Sequence, residues 1–219
     1  MANIKLPKLS KDQRNMLVAA VLGLSGGGYA YISLFWAPIS VKIAAASRVS
    51  PERLYELFFE SPLVIDHDEG RISTRAFYET LQREIDLQLD FDSFLEAWNG
   101  IFEENLEMSA LVQRLAQSHP CLLISNTNRP HFEYCRSRYP VIEKLRGWIL
   151  SYEVGFLKPH PGIYQRALEM IGLPAQNIWY IDDRSDLIEA GRSLGFLTHR
   201  FEGIEPLRKE LQKAGIATE

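Results

Sequence analysis

Residues 177–186, Asn-Ile-Trp-Tyr-Ile-Asp-Asp-Arg-Ser-Asp, run from four consecutive apolar side chains straight into two adjacent carboxylates. β-Branched and aromatic residues fill a pleated core surface, and so short a run suits a buried strand better than a helix; residues 178–181 are therefore expected to form a strand. Asp182 and Asp183 then fall at its carboxyl end, the edge at which open α/β sheets bind ligands. Carboxylates there can hold a hard divalent cation such as Mg²⁺, which takes oxygen ligands and keeps several of its waters. The same residues also read as a plain strand-to-helix turn, with Asp183 or Ser185 capping a helix over 187–194.

The rest of the chain must supply a sheet for that strand. At 219 residues it can bury one α/β domain with an insertion, or two small domains. A net charge of −4 gives no reason to expect nucleic acid or an acidic membrane surface as partner. Cys121 and Cys135 stand alone without CxxC or Cys/His spacing, which argues against a disulfide framework or a zinc site and fits a reducing, cytoplasmic compartment.

Residues 16–41 carry no charge at all, while Lys5, Lys8, Lys11 and Arg14 precede them and Lys42 follows. In one reading, residues 17–24 are a buried parallel strand and Ser25-Gly26-Gly27-Gly28 is the tight turn after it. In a second, residues 16–41 form a single-pass membrane anchor, being longer than the ~20 residues a bilayer needs and led by a basic cluster. A signal peptide ending near Ala44-Ala45-Ala46 is a third.

Residues 51–106 show only helical signals. Ser50-Pro51 opens one helix, Ser73 can cap another bearing Ala76, Phe77, Leu81 and Ile85, and Asp90 or Asp92 can start a third through Phe94, Leu95, Trp98, Ile101 and Phe102. Asp66-His67-Asp68-Glu69-Gly70 reads as a charged, solvated loop ended by glycine rather than a metal cluster, since no second His or Cys stands at ligand spacing. After Met108, strands alternate with helices, the signature of βαβ units: helix 110–117, strand 121–124, helix 130–138, strand 148–151, a loop over 154–159, helix 162–171 stopped by Gly172, a last strand over 196–199 and a helix over 205–214.

Three polar groups then fall at strand ends or on adjacent loops: Ser125-Asn126-Thr127-Asn128, Lys158, and Asp182 with Asp183. A hydroxyl, amides, an ammonium and carboxylates suited to Mg²⁺ are the groups needed to neutralise and position a phosphoryl group. In order and spacing, LLISNTN, SYEVGFLKPHPGIYQRALE and IDDRSDLIEAGRSLG resemble the second, third and fourth motifs of the haloacid dehalogenase superfamily, in the branch containing sugar-phosphate phosphatases, and DEGRIS resembles that branch's cap. The resemblance implies a Rossmann-like parallel sheet flanked by helices with an inserted all-helical cap: residues 1–46 supplying the first core strand and loop, 47–106 the cap and 107–219 the core. It also implies that Ser125, Asn126 and Lys158 bind phosphate, with Ser125 and Lys158 serving catalysis and Asp182 and Asp183 holding Mg²⁺. Asp186 stands where the branch often has Asn.

The first motif departs from that pattern. The family's nucleophile is an Asp at the end of the first core strand. The strand ending here aligns Gly23 with it, counting back from Asp68-Glu69-Gly70 aligns Gly26, and no Asp or Glu occurs from Gln13 to Pro51. A phospho-aspartate route needs a carboxylate, and Ser25 has no histidine near it in sequence to activate it. The expectation is a phosphatase scaffold impaired in turnover, with Mg²⁺ binding weak or lost, that binds a phosphorylated small molecule. The alternatives are an active phosphatase using Asp66 or Asp68, and a membrane-anchored domain of the same family.

Overall fold

A computed structural model describes residues 17–20, 43, 45–47 and 49–218. Among them, β1 (Leu17–Ala20), β2 (Cys121–Ser125), β3 (Gly147–Leu150), β4 (Ile178–Asp182) and β5 (Leu197–Arg200) form one parallel sheet in the order β3-β2-β1-β4-β5. Every residue of β2 and β4 is buried, as a parallel sheet covered on both faces requires. Alternation divides them: Cys121, Leu123, Trp179 and Ile181 join one apolar cluster, Leu122, Ile124, Ile178 and Tyr180 the other. β1 pairs with β2 on one side and β4 on the other, with Ala20 opposite Ile181. The first core strand expected at 17–24 is thus present over Leu17–Ala20. The rest of the uncharged run, with Gly23 and Gly26, lies outside the described residues. No helix among the described residues is long and apolar enough to cross a membrane.

Among the described residues, a separate helical layer lies between β1 and β2 in the chain, with α1 (Pro51–Tyr55), followed by a π-helical turn at Glu56–Glu60, then α2 (Pro62–Asp68), α3 (Thr74–Ile85) and α4 (Phe91–Asn99). Ser50, Ser61, Ser73 and Asp90 each accept a backbone N–H with the side chain, satisfying donors that a helix start leaves open at about 1 kcal/mol apiece. Leu54, Phe58, Phe77, Leu81, Phe94 and Trp98 turn inward to make this layer's own core.

One expectation here is corrected. Asp66-His67-Asp68 is the last turn of α2 rather than a solvated loop: His67 is buried, stacks on Phe77 at 4.5 Å and lies 3.0 Å from Thr74 Oγ1. A local charge count misses the aromatic side chains that α3 brings over this turn.

In the core, α5 (Leu106–Leu115) starts earlier than residue 110 because Asn105 caps it. Next come α6 (Arg129–Arg138), the single turn α7 (Ser151–Val154), α8 (Pro161–Ile171), α9 (Ser185–Ser193) and α10 (Ile204–Lys213). β3 stops at Leu150 because Ser151 turns into α7, its hydroxyl donating to the Thr127 carbonyl and accepting the Thr127 N–H. Residues of α5, α6 and α10 pack in the cluster on one face of the sheet, those of α8 and α9 in the other.

Candidate functional site

β2 and β4 flank β1, so Ser125 and Asp182 end strands two spacings apart, roughly 10 Å. One residue bridges that gap. The Lys158 backbone N–H donates to Asn126 Oδ1 at 2.6 Å and its carbonyl accepts from Asn126 Nδ2 at 3.0 Å, which ties the lysine to the loop leaving β2. Its ammonium donates to Asp182 Oδ2 at 2.7 Å, at the end of β4, with both side chains fully buried. Lys158 therefore links the loop leaving β2 to the end of β4.

Asp182 has two further donors. The Tyr180 hydroxyl donates to Oδ2 at 2.7 Å and the Arg184 N–H to Oδ1 at 3.1 Å. Burial alone would favour the neutral acid, yet the Lys158 charge and these hydrogen bonds hold the carboxyl below the ordinary carboxylate range. Burial and the neighbouring carboxylate push the Tyr180 phenol far up, so it stays a donor. Neither Asp183 nor Ser185 caps α9; the N-cap residue is Arg184, without a side-chain bond, and Asp182 takes its N–H instead. Arg184 turns outward to Asp186 at 2.5 Å, and Arg200 Nε donates to the Asp183 carbonyl at 3.2 Å.

Ser125 is fully buried at the end of β2, its hydroxyl 3.4 Å from the Asn126 carbonyl, long for an O–H···O bond. Of the residues singled out from sequence, Ser125, Asn126, Lys158 and Asp182 thus lie along one connected edge and Asp183 follows directly. Gly23 and Gly26 are outside the described residues. Sequence reasoning passed over Tyr180, although period-two alternation puts it on the same face as Asp182. Asn128, read from sequence only as part of the polar turn after β2, caps α6 with its side chain, accepting the His131 N–H at 3.1 Å and donating to Asp68 Oδ1 at 2.8 Å.

Comparison with known proteins places the sequence. Residues 43–195 match the model of the haloacid dehalogenase-like hydrolases. The chain belongs to that family. A curated relative, the D-ribitol-5-phosphate phosphatase of Bacteroides thetaiotaomicron, is 27% identical over 161 residues, covering 66% of this chain and 73% of the relative. A haloacid dehalogenase family enzyme from the same organism, solved with magnesium and inorganic phosphate, superposes with a TM-score of 0.67 at 20% identity, covering 85% of this chain and 93% of that one. A haloacid dehalogenase-like hydrolase from Porphyromonas gingivalis gives 0.68 at 21% identity, over 91% and 98%. At such identities the structures speak for the fold. The haloacid dehalogenase-like match begins at Ile43 and so takes in Ser125, Lys158, Asp182 and Asp183 but not β1.

Proposed function

We propose that this haloacid dehalogenase-like protein binds the phosphoryl group of a phosphorylated small molecule with Ser125, Asn126, Lys158, Asp182 and Asp183, and does not turn it over by the family's covalent route. One observation carries the second half: across residues 13–51, which include β1, there is no Asp or Glu to attack phosphorus. The relative that acts on D-ribitol-5-phosphate makes polyol and sugar phosphates the first ligands to try. The Lys158–Asp182 pair supplies charge and hydrogen bonding at the strand ends, which favours binding without providing attack.

The donor set fits Mg²⁺ only in part. Asp182 Oδ2 already accepts from Lys158 and Tyr180, and Oδ1 from Arg184, which leaves Asp182 little coordinating capacity. Asp183 with the remaining Oδ1 lone pair can hold a mostly hydrated ion, completed by ligand phosphate. Among the described residues no cluster of three or more His, Cys, Asp or Glu is built for a metal. When bound, the ion would offset phosphoryl charge. This arrangement favours weak Mg²⁺ binding.

Calorimetry with Mg²⁺ and inorganic phosphate on wild type and Asp183→Asn tests binding, and phosphate release from polyol and sugar phosphates tests turnover. Heats identical in the two proteins would count against the site. Turnover by the unmodified chain that Asp183→Asn abolishes would show that another nucleophile exists. Asp66 pairs with Arg71 and Asp68 hydrogen-bonds Asn128, so Asp68→Asn identifies or removes the alternative of the two that faces the core.

A further inference from the structure

The turn that ends α2 is where the helical cap grips the loops of the candidate site. Asp68 Oδ1 accepts from Asn128 Nδ2 at 2.8 Å, and Glu69 Oε1 accepts the Leu157 backbone N–H at 3.3 Å. Gly70, at φ +70°, sits so close to the Tyr152 carbonyl that a Cβ there would overlap it. Each core partner is one step from the site: Asn128 caps the helix after Ser125, Leu157 precedes Lys158, and Tyr152 lies in α7, which leads into that loop.

The hydrogen bonds fix one arrangement of this contact. Asn128 Oδ1 takes the His131 N–H, so Nδ2 must face Asp68 and His131 Nδ1, 3.1 Å away. His131 Nδ1 is then an acceptor, and Nε2–H donates to the Trp98 carbonyl of α4 at 3.0 Å. Burial keeps His131 neutral, with its pKa pushed down to about 3, as this tautomer needs. The pair Asn128–His131 thereby holds two cap helices at once. Within the turn, Arg71 pairs with both Glu69 and Asp66, which orients Glu69 toward Leu157.

We propose that Asp68 and Glu69 are positioning residues that hold the Ser125 and Lys158 loops in their phosphoryl-binding geometry, so that docking of the cap and assembly of the site are one event. This rests on reading Ser125 and Lys158 as phosphoryl-binding. Glu69 secures the amide next to Lys158, whose own N–H is held by Asn126, and a shift there would carry the ammonium away from Asp182.

Amide hydrogen exchange on the full chain, with calorimetry of Mg²⁺ plus inorganic phosphate on the same samples, tests it. In Glu69→Ala, exchange at Leu157 and Lys158 rises about tenfold and phosphate affinity falls by a similar factor, the worth of one charge-assisted hydrogen bond. Glu69→Gln keeps an acceptor oxygen but loses the charge that pairs with Arg71, so it falls between wild type and Glu69→Ala on both counts. Asp68→Ala loosens residues 126–128 in the same way, and Asp68→Asn restores them; this pair decides the matter should Glu69→Ala fail to fold. Unchanged exchange at Leu157 and Lys158 in Glu69→Ala overturns the proposal, as do loosened loops with undiminished phosphate affinity. A wild type that binds no phosphate removes the phosphoryl reading itself, and the exchange result then decides the positioning role alone.

Discussion

The carboxyl ends of β4 and β1 are neighbours in one sheet and differ in almost everything else. At β4, Asp182 is surrounded by Lys158, Tyr180 and the Arg184 amide, each within hydrogen-bonding reach. At β1, the sequence around the strand contains no carboxylate from Gln13 to Pro51, and the family match begins only at Ile43. The contrast teaches that the electrostatic half of such a site supports itself. A buried Lys–Asp pair is costly to break from either side, so folding stability maintains it whether or not anything attacks phosphorus.

The largest effect that could break this contrast is a gain of activity. The unmodified chain is expected to release no phosphate from polyol or sugar phosphates in the presence of Mg²⁺, and Gly23→Asp to release some. Gly26→Asp is the companion variant for the other alignment, and release assays on purified, folded protein check both. Failure of the two folded variants would mean that the segment around β1 is not the family's first motif.

Next in size is the ion pair. Asp182→Ala leaves the Lys158 charge buried and unpaired, and should cost about 3–5 kcal/mol in urea unfolding. Lys158→Met with Asp182→Leu should recover most of that loss, because replacing a buried pair by apolar side chains removes the desolvation cost along with the attraction. Since the folded-state pKa of Asp182 is lowered, its contribution is complete above the ordinary value of 3.8 and drains away as pH falls below it.

Asp68 carries the opposite sign. Burial raises its carboxyl to about 6, against the hydrogen bond from Asn128 that acts to lower it. The folded state then holds a proton that the unfolded state releases, so this group's contribution is greatest below 3.8 and declines as pH rises toward 6, by about 3 kcal/mol at most. Asp68→Asn keeps an acceptor for Asn128 and removes the decline, so it should be the more stable protein at pH 7 by up to that amount. Buried His67 and His131, with pKa values lowered to about 4 and about 3, make stability rise with pH over an overlapping range. Urea midpoints of wild type and Asp68→Asn compared across pH isolate the Asp68 part. The smallest effect is at Ser73, where Ser73→Ala should cost about 1 kcal/mol through the lost cap on α3 and leave phosphate binding unchanged.

Much of this molecule was legible in order along the chain. Ser50, Ser73 and Asp90 announced three helices, apolar runs at 121–124 and 178–181 announced the central strands, and Gly172 marked the end of α8 at φ +68°. These are local signals, set by caps, side-chain period and backbone freedom within a few residues. The misreading of Asp66–Gly70 shows their limit. Charge density said solvent, whereas His67 is buried against Phe77 of α3 and Asp68 is held by Asn128 of the core.

The sequence by itself determined the alternation of elements, the order and spacing of Ser125, Lys158 and Asp182-Asp183 that resemble the family's motifs, and the absence of a carboxylate from Gln13 to Pro51. Residue types at short spacing carry all of that. Only the tertiary structure decided that Lys158 reaches Asp182 across 24 positions of chain, that Asn128 meets Asp68 across 60, and that Glu69 holds the Leu157 amide across 88. Each of those contacts depends on how a parallel sheet orders its strands and where the helical layer docks, and no local preference encodes that order.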